Sequence, residues 1–224
     1  MRTRIALMAI ASLVATTSMA LAQNDITSSR NGRLVYAAPQ ASMKLSPAHI
    51  GESQAATIYS NLAAAYPKGL FNSEIGTSVY GPGASGGRPQ SVAATFTPST
   101  SATAVAIKVA VQAFPSTQST FVVSIYSDKG GVPGQALSAT AATATSVFGN
   151  CCGIVTVRFK GVALTGGTPY WVVLGTSKSQ TNSDVVWNQE TVDQVDQTNI
   201  GFNDGNGWQL IPMTIGLAFG VFSQ

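Results

Sequence analysis

Charge is what this chain has least of. Asp, Glu, Lys and Arg make up 9% of its 224 residues, against about 25% in an average soluble domain. Ser, Thr, Asn and Gln must then supply the polar surface, and weak electrostatic repulsion permits self-association. Histidine is almost missing: His49, in the irregular stretch "SPAHIG", is the single one. A Ser-His-Asp triad would have to recruit it, and no GxSxG elbow is present. There is no HExxH, no CxxC and no spaced His/Cys set, so no metal site and no cofactor are expected. No basic cluster exists to contact phosphates, which argues against nucleic acid as a partner. Beyond the N-terminal segment, no apolar run is long enough to cross a bilayer.

The N-terminus reads "MRTRIALMAIASLVATTSMALAQ". Arg2 and Arg4 form a basic n-region, Ile5 to Val14 an apolar stretch well short of the ~18 residues of a membrane span. "ALA", Ala20 to Ala22, supplies the small residues of a cleavage site. Residues 1–22 are therefore expected to be a secretory signal peptide, cleaved after Ala22, with the mature chain secreted or periplasmic and not inserted in a membrane. Cleavage also changes the charge balance. The full chain has 12 Lys+Arg against 9 Asp+Glu, and loss of Arg2 and Arg4 leaves 10 against 9.

Residues 23–55 show no sustained period and read as a leader or linker, with one short strand expected at Arg33–Ala37. Alanine content alone suggests a helix in "ESQAATIYSNLAAAY". From about Gly76 the period is two. Val105, Ile107, Val109 and Val111 share one face of "AVAIKVAV", and Ala106, Lys108 and Ala110 the other. Phe121, Val123 and Ile125 alternate with Val122, Ser124 and Tyr126; "GIVTVRFKG", "TPYWVVLG", "SDVVWNQ" and "TIGLAFGVF" continue the pattern. "SDKGGVPG", "LTGGTPY" and "FNDGNGW" are turn sequences. The chain therefore reads as all-β, an antiparallel β-sandwich of about eight or nine strands over residues 56–224, jelly-roll-like or immunoglobulin-like.

Several phrases occur here in a characteristic order: "TIYSNL", "VAATFTPS", "IYSDKGGVPGQAL", "CCG", "VALTGGTPYWVVLG" and "VVWN". Together they resemble the choice-of-anchor domains of exported bacterial proteins, most closely the R type. The resemblance covers roughly Ala56 to Gln224. It implies a β-sandwich at or outside the cell surface, and a strand rather than a helix at "TIYSNL". It implies no biochemical activity.

Both cysteines, Cys151 and Cys152, are adjacent in "FGNCCG". Consecutive Cα atoms lie about 3.8 Å apart, below the usual disulfide span. Export places the pair in an oxidising compartment, and a turn followed by Gly153 relaxes strand geometry. The resembled family carries the same adjacent pair. An intramolecular Cys151–Cys152 disulfide is expected, with two reduced thiols or intermolecular links as the alternatives.

Hydrolysis would need paired carboxylates. "WNQETVDQVDQ" offers Glu190, Asp193 and Asp196, but acids in a solvated loop lack the desolvation that tunes a pKa. Asn203, Asp204 and Asn206 in "FNDGNG" resemble half of a calcium loop, and a tight turn is the better reading. Trp171, flanked by apolar residues, is expected in the core. Trp187 and Trp208 sit nearer loops. With the amides Asn188 and Gln189 they form a candidate glycan platform, because an indole face stacks on a sugar while amides bond its hydroxyls. The expected function is thus non-catalytic: a structural or adhesive role with self-association, or alternatively a carbohydrate-binding module. A glycosidase or lyase using acids of the 184–204 loops is the weakest reading.

Overall fold

The computed structural model describes residues 34–36, 55–62, 70–84, 87–115, 119–150, 153–191, 199–212 and 215–224. The signal segment, His49, Cys151, Cys152, Asp193 and Asp196 lie outside the described residues, and of residues 34–36 only the backbone is described. Thirteen strands are found: β1 Leu34–Tyr36, β2 Thr57–Ser60, β3 Asn72–Tyr80, β4 Ser91–Phe96, β5 Ala102–Ala113, β6 Thr120–Asp128, β7 Pro133–Thr143, β8 Ile154–Leu164, β9 Tyr170–Gly175, β10 Asp184–Gln189, β11 Asn199–Asn203, β12 Trp208–Pro212 and β13 Phe219–Phe222. Of these thirteen among the described residues, twelve fall within 56–224, where eight or nine are expected. The excess comes from strands such as β11 and β12, of five residues each, too brief to display a period.

The strands form two antiparallel sheets. One runs β1-β3-β10-β5-β13-β2, with β8 also on β5; the other runs β12-β11-β4-β9-β6-β7. Strands β3 to β10 follow a simple rule. β3 pairs with β10, β4 with β9, β5 with β8 and β6 with β7. That is one long four-rung hairpin rolled up so that successive rungs alternate between sheets, which is the jelly-roll order rather than the immunoglobulin one.

The inner faces share one core. Val92, Phe96, Phe121, Ile125, Val172 and Leu174 of the second sheet meet Ile107, Val109, Trp187, Phe219 and Val221 of the first. Period two placed most of these correctly. Val105 is an exception. The β5–β8 ladder slips between Ala104 and Ala106, so Ala104 and Ile107 both reach the core while Val105 is only half-buried. A bulge of this kind reverses the phase of the alternation, and sequence periodicity alone does not reveal it.

One local reading is corrected and one is borne out. "TIYS" is strand β2, not helix; it pairs with β13, and the buried Asn61 ties the next step to that strand. The Asn61 Nδ2 donates to Leu217 O (2.8 Å), and its Oδ1 accepts the Phe219 N–H (2.7 Å). Tertiary pairing here overrides the helix preference of alanine. The expected strand within residues 23–55 is present as β1, and it joins the sandwich by pairing with β3.

Turns follow the glycines that need left-handed backbone. The β6–β7 hairpin turns on Gly130 (φ 66°) and Gly131 (φ 86°), with the Gly131 N–H donating to Asp128 Oδ2 at 3.0 Å.

Candidate functional site

The platform suggested by sequence does not exist as a surface. Trp187 is fully buried in the sandwich core, stacked edge-on against Phe219, and its Nε1 donates to Ala218 O at 3.0 Å. Asn188 and Gln189 are buried beside it. The Asn188 Nδ2 faces the carbonyls of Asn72 (3.2 Å) and Ile75 (3.4 Å). The Asn188 amide holds β10 against β3, and burial leaves neither amide available to a ligand. The misplacement has a simple cause: β10 lies inside the sheet between β3 and β5, and strand position within a sheet is not visible in the sequence of that strand.

The acids fare similarly. Glu190 is buried rather than solvated, and its Oε1 accepts the Gly216 N–H at 3.2 Å. Asp184 is also buried, at the other end of β10. Six residue steps along the strand separate the two by roughly 20 Å, too far for a glycosidase pair. Asp204 sits in the β11–β12 turn. The Asn206 backbone N–H bonded to it, aided by the Arg88 guanidinium at 3.1 Å, holds its carboxyl below the ordinary value. Asn203 Oδ1 accepts the N–H groups of Gly205 (2.9 Å) and Gly207 (3.3 Å). The "FNDGNG" donors are thus engaged in closing a tight turn, as the sequence suggested.

The outer face of the second sheet carries what the sequence did not single out. Register aligns its outward residues in rows across the strands. One row runs Thr95, Trp171, Tyr126, Ala136. The next runs Ala93, Val173, Ser124, Ala139, and the next Gly175, Val122, Ala141. The first row carries the aromatics Trp171 and Tyr126 and the other two carry only shorter side chains, so a trough forms beside Tyr126. Trp171 is buried as expected, but on this outer face, in a cluster with Ala93 and Val173 under Tyr126 and Trp208. Its Nε1 donates to Asp128 Oδ1 at 2.8 Å. Trp208, half-buried, meets Tyr126 edge-on with centroids 6.5 Å apart. It is the one nominated tryptophan that borders a surface.

The trough is a groove of about 450 Å³, lined by residues of β4, β6, β7 and β9 and by Thr176 and Ser177. A side chain at Gly175 would meet Ser91 Oγ at 2.7 Å, so glycine keeps that end open. The signal for these residues lay in the outward positions of "FVVSIYSD" and "WVVLG". It becomes legible only when the strand order sets Tyr126 beside Trp171.

The flanks of the cysteine pair are anchored to β5. The buried Gln112 donates from Nε2 to Val147 O (3.1 Å) and to Asn150 O, and the Val111 N–H donates to Gly153 O (3.2 Å). Compared with protein-family models, curated proteins and solved structures, the chain finds no match in any of the three.

Proposed function

We propose that this chain is an exported, non-catalytic β-sandwich of choice-of-anchor type, with a structural or adhesive role at or outside the bacterial cell surface, and that it self-associates through β7. The edge strands support this reading. An exposed strand edge invites pairing unless it is short, charged, kinked or capped by proline. Among the described residues, β1 and β2 are three and four residues long, β8 exposes Arg158 and Lys160, and β12 ends at Pro212. β7 has eleven residues, and no charged residue occurs anywhere from Gly130 to Val157. Its first half starts at Pro133 and slips register at Leu137, but Ser138 to Thr143 pair regularly with β6. Among the described residues no strand pairs with the other edge of that run in the sheet order, although β8 of the other sheet lies near β7.

Sedimentation velocity of the mature chain over a concentration series tests the proposal. Association is expected, and Leu137→Lys/Thr143→Lys, which flanks the regular run with charge, is expected to abolish it. A concentration-independent monomer would overturn it.

A further inference from the structure

We propose that the groove on the outer face of the second sheet is a binding site for a neutral oligosaccharide. This goes beyond the self-association above and uses side chains of β7, not its free backbone edge.

The lining selects the ligand class. Ser91, Ser124, Thr176 and Ser177 contribute hydroxyls, Val173 and Ala139 an apolar floor, and none of the lining residues is charged. Asp128, the nearest acid along β6, is already engaged by Trp171 and Gly131. Among the described residues, no side chain of the lining offers an anionic ligand a counter-charge, Lys178 lying just outside it after Ser177. A purely apolar ligand would strand the hydroxyls without partners. A peptide brings a donor and an acceptor per residue. The backbones beneath the groove are already paired in ladders across β4, β9, β6 and β7, and the groove crosses those strands, so strand addition is excluded there. Side-chain hydroxyls both donate and accept by rotating, which matches the hydroxyls of a sugar. Tyr126 borders the groove, half-buried, with Trp208 packed edge-on against it. It presents an aromatic ring for the apolar face of a pyranose. The volume suits a ligand of a few sugar units within the ~300–1,000 Å³ common for such sites.

Affinity electrophoresis in gels containing hydroxyethylcellulose, galactomannan, xylan or soluble starch tests the site, with alginate as the anionic comparator. The edge variant Leu137→Lys/Thr143→Lys serves as the parent, so that assembly does not contribute to mobility. Ala141→Trp, at an exposed position, should fill the trough without touching the core, and Tyr126→Ala removes the ring. Thr156→Trp, exposed on the opposite sheet, is the control. At least one neutral polysaccharide should retard the parent and the control, and affinity should fall about tenfold or more in both groove variants. If Tyr126→Ala does not fold, Ala141→Trp decides alone. Absence of retardation by every neutral polysaccharide, retardation by alginate only, or unchanged retardation of Ala141→Trp would overturn the site. Retardation retained in this non-associating parent separates this site from the proposed edge.

Discussion

The indole N–H of Trp171 donates to the Asp128 carboxylate at 2.8 Å, joining the start of β9 to the end of β6. The other Asp128 oxygen accepts the Gly131 N–H of the β6–β7 turn. One carboxylate therefore fixes both Trp171, the cross-strand neighbour of the groove's Tyr126, and the hairpin that leads into β7. Asp128→Ala should cost about 1.5–3 kcal/mol, the range for hydrogen bonds to a charged group. Asp128→Asn keeps one acceptor oxygen and should cost less. Urea denaturation reads the stability, and a red shift of tryptophan emission reads the loosened ring. Equal loss in both variants would mean that the carboxylate does not act through these two bonds.

Trp187 and Trp208 should separate cleanly. Trp187→Ala removes a fully buried ring and leaves Ala218 O without its indole donor, for an expected loss of about 3–5 kcal/mol. Trp208→Ala removes a half-buried ring from the outer face and should cost much less. Thermal melts of the two variants check the order; a reversal would contradict the placement of β10 inside the sheet.

Position along β5 gives a sharper test of the register slip. Val109 is fully buried, and Val109→Asp should cost several kcal/mol by burying an unpaired charge. Val105→Thr should be nearly neutral, although the period-two pattern puts both valines on one face. Lys108 lies over the Phe222 ring, its Nζ 5.2 Å from the centroid; Lys108→Asp should lose that contact, worth about 0.5–1 kcal/mol at an exposed site. Chemical denaturation distinguishes all three.

Much of the architecture was legible because burial in a two-layer sandwich imposes alternation on each long strand. Phe121, Val123 and Ile125, or Leu217, Phe219 and Val221, could be assigned to the core from spacing alone, and they are there. The glycine turns were equally readable. What failed depends on relations between strands. Trp187 and Asn188 looked accessible because a neighbouring loop is polar, yet β3 and β5 flank β10. Tyr126, Ser124 and Gly175 looked unremarkable because each becomes part of a groove only through its cross-strand neighbours. Val105 departs from the period-two pattern because of a bulge, which leaves no mark on composition.

Acid should weaken the β11–β12 turn in a defined sense. The Asp204 carboxyl is held below its ordinary value, first by the Asn206 N–H and then by Arg88. A depressed folded-state value means that the carboxylate stabilises the fold above its unfolded value, about 3.9, and that this contribution disappears as pH falls through the folded-state value. Wild type should thus exceed Asp204→Asn in stability at neutral pH, with the difference vanishing at strongly acidic pH. Denaturation midpoints across pH check it, and a difference that grows on acidification would contradict the assignment.

The free edge of β7 is the centre of the functional account, and hydrogen exchange reads it directly. Exchange of the mature chain should be followed by mass spectrometry at low and high protein concentration. Pairing between copies predicts that the peptide spanning residues 133–143 becomes more protected as concentration rises, while residues 208–212 on the opposite edge stay unchanged. Protection at 133–143 that is independent of concentration, or that rises only at 208–212, would contradict the account.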